Sequence, residues 1–249
     1  MTRRQPISFP HRLGAMLALV ATILAGCDGG GLDTADIEDL NSAVQDAAQA
    51  ILDAPAFAAG SVYYDEIDQA TGFDWLDYRS SGEYLSVFHV IDPAESLAVI
   101  RIDGEEFTAG NRPGETQPWV SLGPAAAAEL PMRLDLVGMA EGSALPTVEG
   151  AAAEEVEVDR DESDGGVVWT LTTPLQDSTA TATWTIDADG TLRAYSLESA
   201  SLLLPGGGIR IEVELTTVAD PPPLALPALD TSLDLAQFAI PAELLDLAE

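Results

Sequence analysis

The side chains able to do chemistry are few. The chain has two histidines, His11 and His89, and one cysteine, Cys27. Cys27 follows Leu24, Ala25 and Gly26, so a nucleophilic thiol stands directly after a bond flanked by small residues that a processing enzyme can reach. His89 lies in the strand-like run "EYLSVFHVI". A histidine-based metal cluster or a Ser-His-Asp site would depend on it alone, whereas catalysis needs a convergent nucleophile, base and orienting group. There is no G-x-S-x-G elbow and no Walker A lysine, and the glycines of "LLLPGGGIRI" lie between two strands, which makes them a turn and not a phosphate cradle. Acids crowd into "EEVEVDRDESD" at 154–164, and "DADG" occupies 187–190, but neither has the calcium-loop spacing with glycine at six and glutamate at twelve. The first reads as a strand edge blunted by charge and the second as a hairpin turn. No catalytic residue and no metal ligand is assigned, and the chain is read as a non-enzyme.

The residues in front of Cys27 indicate what its thiol is for. Arg3, Arg4 and Arg12 precede twelve small or apolar residues, Gly14 to Ala25, and no acid occurs before Asp28. The run is too short for a helical span, which needs about 20 residues, and has the basic and apolar regions of a secretory leader. Leu24-Ala25-Gly26-Cys27 matches the bacterial lipobox, in which a cysteine follows leucine and two small residues. That resemblance implies cleavage between Gly26 and Cys27 and a diacylglyceryl thioether on Cys27, with no other cofactor. Two or more acyl chains anchor stably where one does not. The expectation is an exported protein, lipid-anchored at the outer face of the plasma membrane. Arg3-Arg4 is also half of a twin-arginine signal, so the export route stays open.

All ten basic residues are arginine, and the three in the leader leave seven against 42 acids, a formal −35. Nucleic-acid binding needs clustered Lys and Arg, and docking onto anionic lipid needs a polybasic patch; neither partner is supported. With 47% hydrophobic residues in clear periodicity, the chain folds despite its charge.

Three parts follow: a signal peptide at 1–26, a lipidated flexible tether at 27–32, and one domain at 33–249. The domain opens with an amphipathic helix running to about Ala54, with Ile37, Leu40, Val44, Ala47, Ala48 and Ile51 on one stripe, stopped by Pro55. Strands are expected at 61–65, 75–79, 83–91, 97–102, 105–108, 153–159 and 166–172, with Asp103-Gly104 as a hairpin turn. Residues 124–147 read as short helical segments between two groups of strands. In "TATATWTIDADGTLRAYSLE", Ala180, Ala182, Trp184 and Ile186 face one way; in "GIRIEVELTTV", Ile211, Val213 and Leu215 oppose Arg210, Glu212 and Glu214. One face of that sheet region is apolar and the other wet. "DPPPLALP" cannot join a central strand, and residues 232–249 read as a docking tail. The class is α+β, an antiparallel sheet with helices on its apolar face.

On these features the mature chain resembles the LppX/LprG-type envelope lipoproteins, relatives in fold of the lipoprotein carriers LolA and LolB. "RIDGEEFTAGNRPGETQPWVSL" is similar to their strand-turn-strand, with Trp119 after it, and "TATWTIDADGTLRAYSLE" to their late hairpin. The resemblance implies a strongly curved half-barrel whose concave face, lidded by helices, holds acyl chains of a lipid or glycolipid that an envelope transporter or acceptor lipoprotein hands over or takes up. The expected cavity lining is Leu85, Val87, Ala180, Ala182, Trp184, Ala194, Ile211 and Val213. Each is equally readable as an ordinary core residue, in which case the protein is a surface lipoprotein with a filled interior, acting as an interaction or assembly module.

Overall fold

The computed structural model describes residues 34–124, 136–141, 156–163, 165–174, 179–199 and 209–248. Cys27, the expected leader and tether, and most of the 124–147 segment lie outside them.

Helix α1 (Thr34–Leu52) forms where the apolar spacing placed it. Leu40, Val44, Ala47, Ala48 and Ile51 are buried along one stripe, while Asp36, Glu38 and Asp39 face water. Pro55 ends the run by barring a further helical turn. The chain then enters β1 (Ala56–Tyr64), β2 (Ala70–Arg79), β3 (Tyr84–Val90), β4 (Glu95–Ile102), β5 (Glu105–Arg112) and β6 (Glu115–Pro124). Helix α2 (Leu136–Ala140) lies between the two groups of strands. The second group is β7 (Glu157–Ser163), β8 (Gly166–Pro174), β9 (Thr179–Asp187), β10 (Leu192–Ser199) and β11 (Arg210–Thr217). The expected strand at 153–159 thus forms at 157–163, running to the turn at Gly165, and the strand expected from 61 begins at 56.

All eleven strands join one sheet in the order β6-β5-β4-β3-β2-β1-β11-β10-β9-β8-β7. Two antiparallel meanders meet where β1 pairs with β11, Ser61 opposite Val213. Turn chemistry fixes the hairpins: Asp103 and Gly104 both take positive φ, 53° and 77°, as the tight turn between β4 and β5 demands. "DADG" is the β9–β10 turn, where Gly190 N donates to Asp187 O at 2.9 Å.

The sheet has two apolar faces. One carries alternate residues of nine neighbouring strands, β4 round to β7, in a single cluster with α1 and α2. Nine strands laid flat would span about 38 Å at roughly 4.8 Å each, more than the roughly 28 Å of a 19-residue helix. The sheet therefore curls around the helices as an open half-barrel, and the class is α+β.

The opposite face of β2–β6 carries a second cluster, covered by the C-terminal tail through Leu233, Ile240 and Leu244. The tail is fastened by Trp119 N to Thr231 O at 3.0 Å, Asn111 Nδ2 to Leu233 O at 3.0 Å and Arg79 Nη2 to Pro222 O at 3.0 Å. The expectation of a docking tail holds, and its seat is the face away from α1. The β6 edge is thereby partly paired with residues 230–231, while the β7 edge is blunted by Glu157, Asp159, Asp161 and Glu162.

Candidate functional site

The face under α1 is built from cross-strand rows. One row runs Ser61, Val213, Tyr195, Trp184, Trp169 and Arg160, each residue opposite the next on the neighbouring strand. The next row runs Tyr63, Ile211, Leu197, Ala182, Leu171 and Val158. Small side chains recur under the helix: Ala59, Ser61, Ala180 and Ala182 from the sheet, Ala47 and Ala48 from α1, all buried. Trp184 lies beside Tyr195 with centroids 5.6 Å apart and ring planes tilted by 44°, and the Arg160 guanidinium lies 5.2 Å over the Trp169 ring.

Polarity rises toward β2–β5 on the same face. Tyr63 donates its hydroxyl to Asp74. Tyr84 Oη donates to Glu106 Oε1 at 2.8 Å, and Arg101 Nη2 donates to the same oxygen at 2.9 Å. Burial, reinforced by the Glu106 carboxylate, holds the Tyr84 phenol well above its usual range. Tyr195 lies deep enough for burial alone to raise its phenol strongly, yet Tyr195, Leu197 and Val167 are not fully covered.

Of the eight expected lining residues, five meet on this face: Ala180, Ala182, Trp184, Ile211 and Val213. The other three do not. Leu85 and Val87 pair with Asp77 and Trp75, which stand opposite Ala58 and Gly60, so both belong to the cluster under the tail. The reason is parity: β3 is apolar on both faces, and alternation alone does not say which face meets the helix. Ala194 pairs with Glu214 on the face opposite Tyr195, because an irregularity between Leu192 and Ala194 resets the alternation. The inner-face residues that sequence reasoning missed include Ser61, Trp169, Leu171, Tyr195 and Leu197. "AYSLE" held the signal for two of them, since Tyr195 and Leu197 alternate with Ser196 and Glu198.

His89 is buried on the tail face, 5.2 Å from the Phe73 ring, with Nδ1 2.8 Å from Ser96 Oγ. Burial lowers its pKa. Among the described residues no group of three or more His, Cys, Asp or Glu side chains could hold a metal ion, and no helix is long and apolar enough to cross a membrane.

Fold and face together define an open antiparallel half-barrel with a helix laid along its apolar inner surface. No family model and no curated protein matches the chain. Among solved structures, LprF from Mycobacterium bovis matches at 14% identity and a TM-score of 0.43, over 77% of this chain and 98% of that one. A LolA superfamily protein from Nitrosomonas europaea matches at 11% identity and a TM-score of 0.24, over 73% of this chain and 94% of that one. The MucA/MucB complex of Pseudomonas aeruginosa matches at 14% identity and a TM-score of 0.27, over 74% of this chain and 59% of the matched chain. Likenesses of this size leave function to the chain's own geometry.

Proposed function

We propose that the protein is a non-enzymatic envelope lipoprotein, exported by residues 1–26, anchored through a diacylglyceryl thioether on Cys27, that shields lipid acyl chains between α1 and the inner face of its half-barrel. The observation that carries this reading is Tyr195. It sits at the middle of the apolar row and keeps part of its surface uncovered, as do Leu197 and Val167 on the same face. Native interiors are packed nearly without voids, so apolar inner-face residues left partly uncovered favour a surface meant to be filled. Its walls are small or aromatic, Ala180, Ala182 and Trp184, as befits a flexible chain that needs room and contact area rather than directional bonds. Cargo exchange would then be with an envelope transporter or an acceptor lipoprotein.

The test uses the full chain with Cys27→Ala, so that no covalent lipid is present, purified from the envelope of a bacterial host. Native mass spectrometry followed by organic extraction is expected to find one non-covalent acyl-bearing ligand per chain. Protein that arrives empty and takes up no added acyl lipid would overturn the carrier reading and leave an interaction or assembly module with a filled core.

A further inference from the structure

At the centre of the apolar row on the inner face, an indole donor has no acceptor. Trp184 is fully buried, yet its Nε1–H has no hydrogen-bond partner, although the large majority of buried polar atoms have one. Trp119 shares that condition in the other cluster, but there Phe238 closes edge-on against the ring at 6.1 Å and the tail packs over it. Around Trp184 the surroundings are different. The next inner-face residue along β9 is Ala182, whose methyl group offers no acceptor, and the neighbouring ring is Tyr195, tilted 44° to the indole and only partly covered.

We propose that Trp184 Nε1–H is the polar anchor of the acyl site, donating a hydrogen bond to the carbonyl oxygen of an ester or amide at the end of the bound chain. This inference rests on the acyl-shielding reading and adds to it the ligand's chemical class: a neutral acyl ester or amide, favoured over a bare hydrocarbon. A free carboxylate fits less well, because the arginine of this row, Arg160, already stacks on Trp169 and pairs with Glu162 at 2.5 Å. An indole N–H supplies one donor and no acceptor, so it recognises a carbonyl oxygen and adds no charge to the apolar face. It also fixes the chain's depth, since only one point along the row can satisfy it.

The experiment compares methyl palmitate with octadecane, which have nearly equal chain lengths, on the full chain carrying Cys27→Ala. The wild-type site is expected to prefer the ester by about tenfold, the scale of one neutral hydrogen bond together with relief of a buried unpaired donor. Trp184→Phe removes the donor along with part of the site's wall, so both probes should bind more weakly, but the ester should lose about tenfold more than octadecane and the preference should vanish. In nitrogen-15 spectra the Trp184 indole N–H resonance should move on adding the ester and stay in place with octadecane. Should Trp184→Phe not fold, the wild-type resonance, assigned through its proximity to Ala182, still decides. A preference retained in Trp184→Phe, or an indole resonance indifferent to the ester, overturns the anchor while leaving the acyl site intact. Binding of neither probe overturns the acyl-shielding reading, and the anchor with it.

Discussion

His89 sits where protonation is unwelcome. Its ring lies on the tail face between Phe73 and Ser96, and burial lowers its pKa from the ordinary 6.5. The unfolded chain therefore binds a proton here more readily than the folded one. By linkage, the neutral ring's contribution to stability is fully present above pH 6.5 and is lost as pH falls through 6.5 toward the folded value. His89→Gln keeps a polar side chain near Ser96 and removes the titration. Urea unfolding measured from pH 5 to 8 should show the wild type losing more stability than His89→Gln on going from 7.5 to 5.5. Parallel curves for the two proteins would show that the ring stays solvated in the native state. His89 is thus a core residue whose one polar side-chain contact among the described residues is the Ser96 hydroxyl, and no described group of three or more His, Cys, Asp or Glu side chains that could hold a metal ion includes it.

Among the elements, α1 and the hairpins were the parts legible in the sequence, each for a local reason. The helix announces itself because Leu40, Val44, Ala47 and Ile51 repeat at three and four, and the β4–β5 and β9–β10 turns because Asp-Gly supplies the positive φ that they require. β1 was read short, since "AFAAG" after Pro55 has little β-branched character; its strand state comes from pairing with both β2 and β11. Gly60 shows the same non-local logic: a Cβ there would stand 3.2 Å from Leu244 Cδ1, so the glycine makes room for a tail almost 190 residues later in the chain. Nothing local reports that β2–β4 are covered on both faces, and this is why alternation alone places Leu85 and Val87 on the wrong one. The tail's hold is testable at Leu244, which is 7% exposed. Leu244→Ala removes buried apolar volume and should cost about 2–5 kcal/mol in global stability. Calorimetry measures the loss, and hydrogen exchange should show Trp119 and Asn111 amides losing protection along with it. A loss below about 0.5 kcal/mol, the level of an ordinary surface substitution, would mean that the tail is not docked in solution.

For the whole molecule the decisive quantity is charge. From residue 27 onward seven arginines stand against 42 acids, a formal −35, and among those arginines Arg79, Arg101, Arg112 and Arg210 are already paired with carboxylates of the same chain. Anionic lipid headgroups should repel such a surface at low ionic strength, and raising salt should weaken that repulsion without creating attraction. On the proposed reading, attachment would have to come from a term that charge does not touch, and acyl chains would supply it at about 0.8 kcal/mol per buried CH₂. The two terms make opposite forecasts for a membrane preparation. If Cys27 carries the anchor, wild-type protein should stay in the membrane fraction through washes from low to high salt, be released by detergent, and bear a mass increment at its mature N-terminus. Cys27→Ala should then appear almost wholly in the soluble envelope fraction at every salt concentration, because no basic patch is left to hold it. Firm membrane attachment of Cys27→Ala would place the anchor elsewhere in the chain, and attachment of the wild type that yields to salt would show that a protein partner, not lipid, retains it. If Cys27 carries the anchor, repulsion between the acidic body and anionic headgroups would hold the domain off the bilayer, and that standoff should shrink as salt is raised.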